Sequence, residues 1–219
     1  MLNFPKSTEF DKRIPKQKFY ENMNITANLK RIFVEQIKGI SWTNKIAAST
    51  INVADGQEVH EIEVFEIALT DNNLDEAVLL QIDREIPYHI VYVLSYDGKY
   101  QAWIGYKEKS ISGNNAFKVS TYYHTDWLSK DKLQDTLKIV GITLDSVYEN
   151  FVKQVAGDRL QSDNSEDLKV LVEKDNRRKE IEKQISVLRA KIRKEKQLNR
   201  QMEMNEEVKR LKREVDDLC

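Results

Sequence analysis

HIVYVLSYDGKYQAWIGY, residues 89–106, is the stretch on which the fold turns. Two runs rich in β-branched and aromatic residues, His89 to Tyr96 and Tyr100 to Tyr106, flank Asp97-Gly98. An Asp-Gly pair supplies the positive φ that a two-residue turn demands, so this is a β-hairpin. The first run is apolar on both of its faces and is expected to be a central strand covered on both sides. A hairpin at the centre makes at least part of the sheet antiparallel. That points to an α+β fold with a mixed or antiparallel sheet and flanking helices, and away from a doubly wound parallel sheet.

Outward from the hairpin, Leu74, Val78, Leu79, Ile82 and Ile86 share one face of a helix that Pro87 must end. Glu58 to Thr70 and Ile40 to Ile46 read as strands, joined through the turn signal Ala54-Asp55-Gly56. Thr26 is placed to cap a helix from Ala27 to Lys38, with Gly39 at its stop. Phe117 to His124 adds a strand, and Ser129 to Val140 and Leu144 to Val155 are helices broken by Gly141. Residues 1–18, with two prolines and many charges, read as an extended arm.

The last third differs in kind. From Ser165 to Leu218 there is no glycine and no proline. Apolar residues recur three and four apart at Leu168, Leu171, Ile181, Ile185, Leu188, Ile192, Leu198, Met202, Val208, Leu211, Val215 and Leu218. This spacing lays a narrow seam along a helix, as in a coiled coil. At about 1.5 Å per residue a single helix here would be roughly 75 Å long. The expected organisation is an α+β domain over 1–156, a polar linker over 157–164, and a long coiled-coil helix over 165–219. The seam from Ile181 to Leu218 is expected to need a protein partner. Past Ile192 the rhythm slips, and Glu195, Asn199 and Asn205 fall at or near seam positions. KEKQLNRQMEMNEE is therefore either a recognition element or the place where the helix bends.

Composition excludes several classes. Net charge is −1, so no global basic field drives nucleic-acid binding. The single cysteine, Cys219, rules out a disulfide framework within the chain. MLNFPKSTEF lacks a basic region followed by an apolar one, so no secretory leader is expected, and no apolar run is long enough to span a membrane, so a cytoplasmic protein is expected. The seven glycines are not clustered, which removes P-loop and dinucleotide fingerprints, and no cofactor is expected.

Chemistry-bearing candidates are few. Asp97-Gly98-Lys99 matches half of a metal-dependent nuclease motif, but the hairpin turn explains it without chemistry. Glu58, Glu61, Glu63 and Glu66 crowd one strand. Glu61 and Glu63 point to one face, where paired carboxylates bind a metal or share a proton. Glu66 breaks the alternation and is the acid to test for burial. His60, His89 and His124 lack metal-ligand spacing. The many central aromatics, Tyr92, Trp103 and Tyr122 among them, offer a base-stacking face or simply fill a core. No catalytic residue and no metal ligand is assigned. The tail carries a clearer signal: Arg189, Lys191, Arg193, Lys194, Lys196 and Arg200 against one acid, Glu195, within residues 186–200. Such a run either flanks a coiled coil or contacts nucleic-acid phosphates.

Three separated segments resemble one family. They are MLNFPKSTEFDKRIPKQKFYEN at the start, IEVFEIALTDNN with EIPYHIVYVLSYDGKYQAWIGYKE in the middle, and KIRKEKQLNRQMEMNEEVKRLKRE in the tail. Together they are similar to a bacterial domain-of-unknown-function family, number 4391, across nearly the whole chain. The family carries no assigned activity, so no residue role transfers. The resemblance implies a setting: similar proteins are encoded beside helicases and DNA methyltransferases in restriction-like or phage-defence loci. The expected role is a non-enzymatic adaptor, partnered through the coiled coil with itself or with a helicase or methyltransferase complex, with a weak DNA contact and no membrane. The alternatives are a metal-dependent nuclease built on the 58–66 strand and a DNA-binding module using the basic tail.

Overall fold

The computed structural model describes residues 2–21, 25–109, 117–161 and 166–218. It has an α+β fold in two compact units, Met1–Gly157 and Asp158–Cys219. Among the described residues, no helix is long and apolar enough to cross a membrane.

The first unit is a six-stranded sheet in sequence order: β1 (Glu9–Ile14), β2 (Ile37–Ala47), β3 (Glu61–Leu69), β4 (His89–Tyr96), β5 (Lys99–Lys109) and β6 (Phe117–His124). Every neighbouring pair is antiparallel except β3 and β4, which run parallel. The sheet is therefore mixed. A parallel pair needs a crossover, and the helix between β3 and β4 supplies it. α1 (Gln17–Glu21) and α2 (Ala27–Gln36) precede β2, α3 (Glu76–Glu85) is the crossover, and α4 (Lys130–Thr136) and α5 (Leu144–Ala156) follow β6.

Residues Asp97 and Gly98 both have positive φ, 47° and 71°, as the primed turn of the central hairpin requires. β4 alternates between two cores. Ile90, Tyr92 and Leu94 pack with Phe33 of α2 and with Val78, Leu79 and Ile82 of α3. On the opposite face, His89 lies edge-on to Tyr148 of α5, with ring centroids 4.3 Å apart. The expectation of a strand covered on both sides therefore holds. The Tyr148 hydroxyl donates to the Gly105 carbonyl at 2.7 Å and accepts from the Lys107 amide at 2.9 Å, where the β5–β6 register shifts.

Three readings are corrected. The N-terminal arm contains β1, an edge strand with a register shift after Glu9 and positive φ at Asp11. Charged side chains suit an edge, where one side of the ladder faces water. The helix after Ser129 stops at Thr136. The Gln154 side chain takes up both the amide and the carbonyl of Lys138, at 2.9 and 3.0 Å, and so draws the chain out of the helix.

The tail also departs from the expected form. It is not one long helix but two, α6 (Leu168–Ile192) and α7 (Leu198–Asp216). Asp167 caps α6 by accepting from the Lys169 amide at 2.8 Å. A five-residue connection then reverses the chain, and Arg177 near the start of α6 meets Glu214 near the end of α7 at 2.5 Å. The unit is an antiparallel helical hairpin. Of the expected linker, residues 157–160 form a turn of 3-10 helix and residues 162–164 lie outside the described residues, as do Ser165 and Cys219 at the ends of the expected helix.

Candidate functional site

The apolar seam of the tail is satisfied within the hairpin. Ile181 and Ile185 of α6 pack with Val208 and Leu211 of α7, and Leu188, Ile192, Val215 and Leu218 close around them. Each helix gives the other the cover that the sequence reading assigned to a separate partner, so the seam by itself no longer calls for one. Two of the expected seam residues are left out of that core: Leu198 and Met202 are 68% and 61% exposed. They lie one helical turn apart at the start of α7 and therefore share a face.

The turn explains the slipped rhythm. The Glu195 carboxylate accepts from the amides of Lys196 and Gln197 at 2.8 and 2.9 Å, and the Gln201 side chain donates to the Glu195 carbonyl at 2.6 Å. The hydrogen bonds from the Gln197 and Lys196 amides hold the Glu195 carboxyl below its ordinary value. KEKQLNRQMEMNEE is thus where the chain reverses. Asn205, another polar residue near the seam, donates to the Gln201 carbonyl of its own helix.

Reversal gathers the basic run at the end of the hairpin. Arg189, Lys191, Arg193, Lys194, Lys196 and Arg200 are all exposed. None of the six forms an ion pair among the described residues. Six other bases of this unit are matched: Lys174 with Glu166, Arg178 and Lys179 with Asp175, Arg177 with Glu214, Lys209 with Glu206, and Arg210 with Glu207. The tip is where bases outnumber acids six to one, within residues 186–200.

The carboxylates around β3 disperse. Glu58 pairs with Lys109 at 2.7 Å, Glu61 with Lys45 of β2, and Glu66 accepts from Ser95 at 3.0 Å on the opposite face. Glu66 is half-buried, and burial raises its carboxyl above the ordinary value. The buried acid is Glu63, at 1% exposure, with no hydrogen bond of ordinary length to either oxygen. Burial, and then the neighbouring Glu61, push its carboxyl up to about 9 against the opposing pull of Lys45. Glu61 is held below its ordinary value: burial raises it, but Glu63 and Lys45 outweigh that. The pair holds one proton between two carboxyls.

Glu63 pairs with Ile90 at the start of β4, whereas Asp97 follows its end. At about 3.3 Å per residue the two are roughly 20 Å apart, so these carboxylates do not converge on one metal. Among the described residues, no group of three or more His, Cys, Asp or Glu side chains is arranged to hold a metal ion. His60 sits 3.1 Å from Asp55, and His124 stacks on Trp103. His89 is buried, and burial, then Lys107, lower its imidazole to about 3, so it is neutral at physiological pH.

The aromatics are mainly core. Tyr92 and Tyr123 are fully buried and Tyr122 is 7% exposed, which leaves no open stacking platform at these positions. Tyr122 instead belongs to a cluster that the sequence reading missed. Its hydroxyl donates to Asp83 of α3 at 2.5 Å, and Asp83 pairs with Lys107 of β5 at 2.8 Å. The available signal was Asp83 itself, an acid in register with Leu79 and Ile86 on the apolar stripe of α3.

Curated proteins and solved structures return no match to this chain. A protein-family match covers residues 2–215, nearly the whole chain and both units. The chain therefore belongs to the family described as Domain of unknown function (DUF4391).

Proposed function

We propose that the chain is a non-enzymatic accessory or adaptor subunit of a bacterial DNA-processing complex of the restriction-like or phage-defence kind, working in the cytoplasm. It associates through its C-terminal hairpin with a protein partner, a helicase or methyltransferase assembly. The observation that carries this reading is the exposed pair Leu198 and Met202, set beside the unpaired cations of the tip. Apolar side chains held on a helix face, outside a core that is already closed, are a ready contact for another protein. Because α6 and α7 cover one another's seam, a homotypic coiled coil is not required for stability. The genomic setting implied by the sequence resemblance supplies the kind of complex.

The test is co-purification with the helicase or methyltransferase encoded beside the gene. Wild type is compared with a Leu198→Gln, Met202→Gln double variant, which removes the apolar pair without adding charge. The wild type is expected to hold its partner on a sizing column, and the variant to lose it while keeping its melting temperature. A complex that survives the double substitution, or that never forms with wild type, overturns the reading.

A further inference from the structure

We infer that the tip of the C-terminal hairpin binds the phosphate backbone of duplex DNA. The inference gives the proposed adaptor its own DNA contact and rests on that reading for its setting, but it uses different side chains. Six exposed cations, Arg189 to Arg200, crowd the end of α6, the turn and the start of α7. The one acid among them, Glu195, has its carboxylate occupied by two backbone amides of the turn. Arg177, Arg178, Lys209 and Arg210 elsewhere in the hairpin are paired with acids, whereas residues 186–200 carry six bases against one acid, so the excess positive charge is concentrated at one end. A dense, unpaired cationic cluster of this kind is matched by a polyanion of regular charge spacing, and counterion release drives the association.

Geometry favours the backbone over the bases. A helix with its side chains is about 10–12 Å across, so two side by side measure roughly 20 Å. The major groove is about 12 Å wide and admits one helix, not a pair. Presented end-on, the hairpin spans the groove and lays its cations on the phosphates at either side, so binding carries no base readout. An anionic membrane is a poorer match. Interfacial helices bury a long apolar face, and here that face is spent in the hairpin core, with Leu198 and Met202 left over.

The cations lie on several sides of the tip, so three or four reach one duplex. The full-length chain should bind a short labelled duplex with a log–log salt slope of roughly −3. Replacing Arg189, Arg193, Lys196 and Arg200 together by glutamine should weaken binding about tenfold or more while leaving helicity and melting temperature unchanged, because glutamine is a good helix former. The Leu198→Gln, Met202→Gln variant, which removes the apolar pair without adding charge to the tip, should retain most of the duplex binding, which separates this inference from the adaptor reading. Binding that survives the four glutamines, that ignores salt, or that is absent in wild type overturns it. So does equal, variant-sensitive binding to polyglutamate or to phosphatidylserine vesicles, since the tip would then recognise negative charge alone.

Discussion

Lys107 on β5 and Asp83 on α3 face each other at 2.8 Å, with side chains only 2% and 1% exposed. The pair ties the crossover helix to the sheet. The Lys107 ammonium also donates to the Tyr88 carbonyl at 2.5 Å, and the Tyr122 hydroxyl donates to the other oxygen of Asp83. Burial lifts the Asp83 carboxyl above its ordinary value, while Lys107, Tyr122 and Tyr92 restrain the rise.

Removing one member of this pair leaves an uncompensated buried charge. Asp83→Asn should cost about 3–5 kcal/mol in urea unfolding. The double replacement Asp83→Leu, Lys107→Met removes both charges and should cost clearly less than the single variant. A double variant that is worse than the sum of its singles would contradict the assignment.

Glu63 gives stability a pH dependence of defined sign. Its folded value, about 9, lies above the usual carboxyl value near 4.5 of the unfolded chain, so the native state holds the proton longer. Its contribution is complete below pH ~4.5 and falls away as pH rises towards 9. Glu63→Gln should therefore flatten the decline in stability above pH 5 and stabilise the protein at pH 8 by about 1–3 kcal/mol. Thermal melts across that pH range are the check, and a variant with the wild-type slope would show that Glu63 is ionised when folded.

Gly98 has a φ of 71°, and no atom beyond its chain neighbours lies within 4 Å of where a Cβ would sit. The cost of a side chain there is thus conformational, not steric. Gly98→Val should destabilise the protein by about 1 kcal/mol or more. Gly98→Asn should cost much less, because Asn tolerates the left-handed region. Equal melting temperatures for Gly98→Val and wild type would refute the turn.

Asp145, in the first turn of α5, accepts from the amides of Gln57, Glu58 and Val59 at 2.6, 3.1 and 2.8 Å. Burial would raise its carboxyl, but these bonds outweigh burial and hold it below the usual value. Its stabilisation is then present above pH ~4 and lost as pH falls through the lowered value. Asp145→Ala should cost about 1–3 kcal/mol at neutral pH and progressively less in acid, as measured by denaturant titration.

The parts that were legible in the sequence carry redundant local signals. The β4–β5 hairpin combines β-branched runs with Asp-Gly, and α3 combines a clean apolar stripe with a proline stop. β1 was not legible because Glu9, Asp11, Lys12 and Arg13 suit an edge strand and an arm equally well. The heptad-like rhythm identified the helices of the tail but not their connection. A seam of the same spacing serves one continuous helix or two that fold together, and the turn uses neither glycine nor proline. One signal did point to the break. Cations at Arg189 and Lys191 suit the negative end of α6, and Glu195 suits the positive start of α7. The Asp83–Lys107 pair was out of reach because its two halves come from different elements.

Reversal of the tail covers its seam and gathers the cations at one tip. Spin labels on Cys introduced at Glu173 and Asp217, in a Cys219→Ser background diluted with unlabelled protein, measure this directly. The contact between Arg177 and Glu214 places the two sites beside each other, so a distance within about 20 Å is predicted, given that each helix with its side chains is about 10–12 Å across. A distance near 65 Å, as one straight helix would give at about 1.5 Å per residue, would contradict the hairpin and restore an open seam in need of a partner.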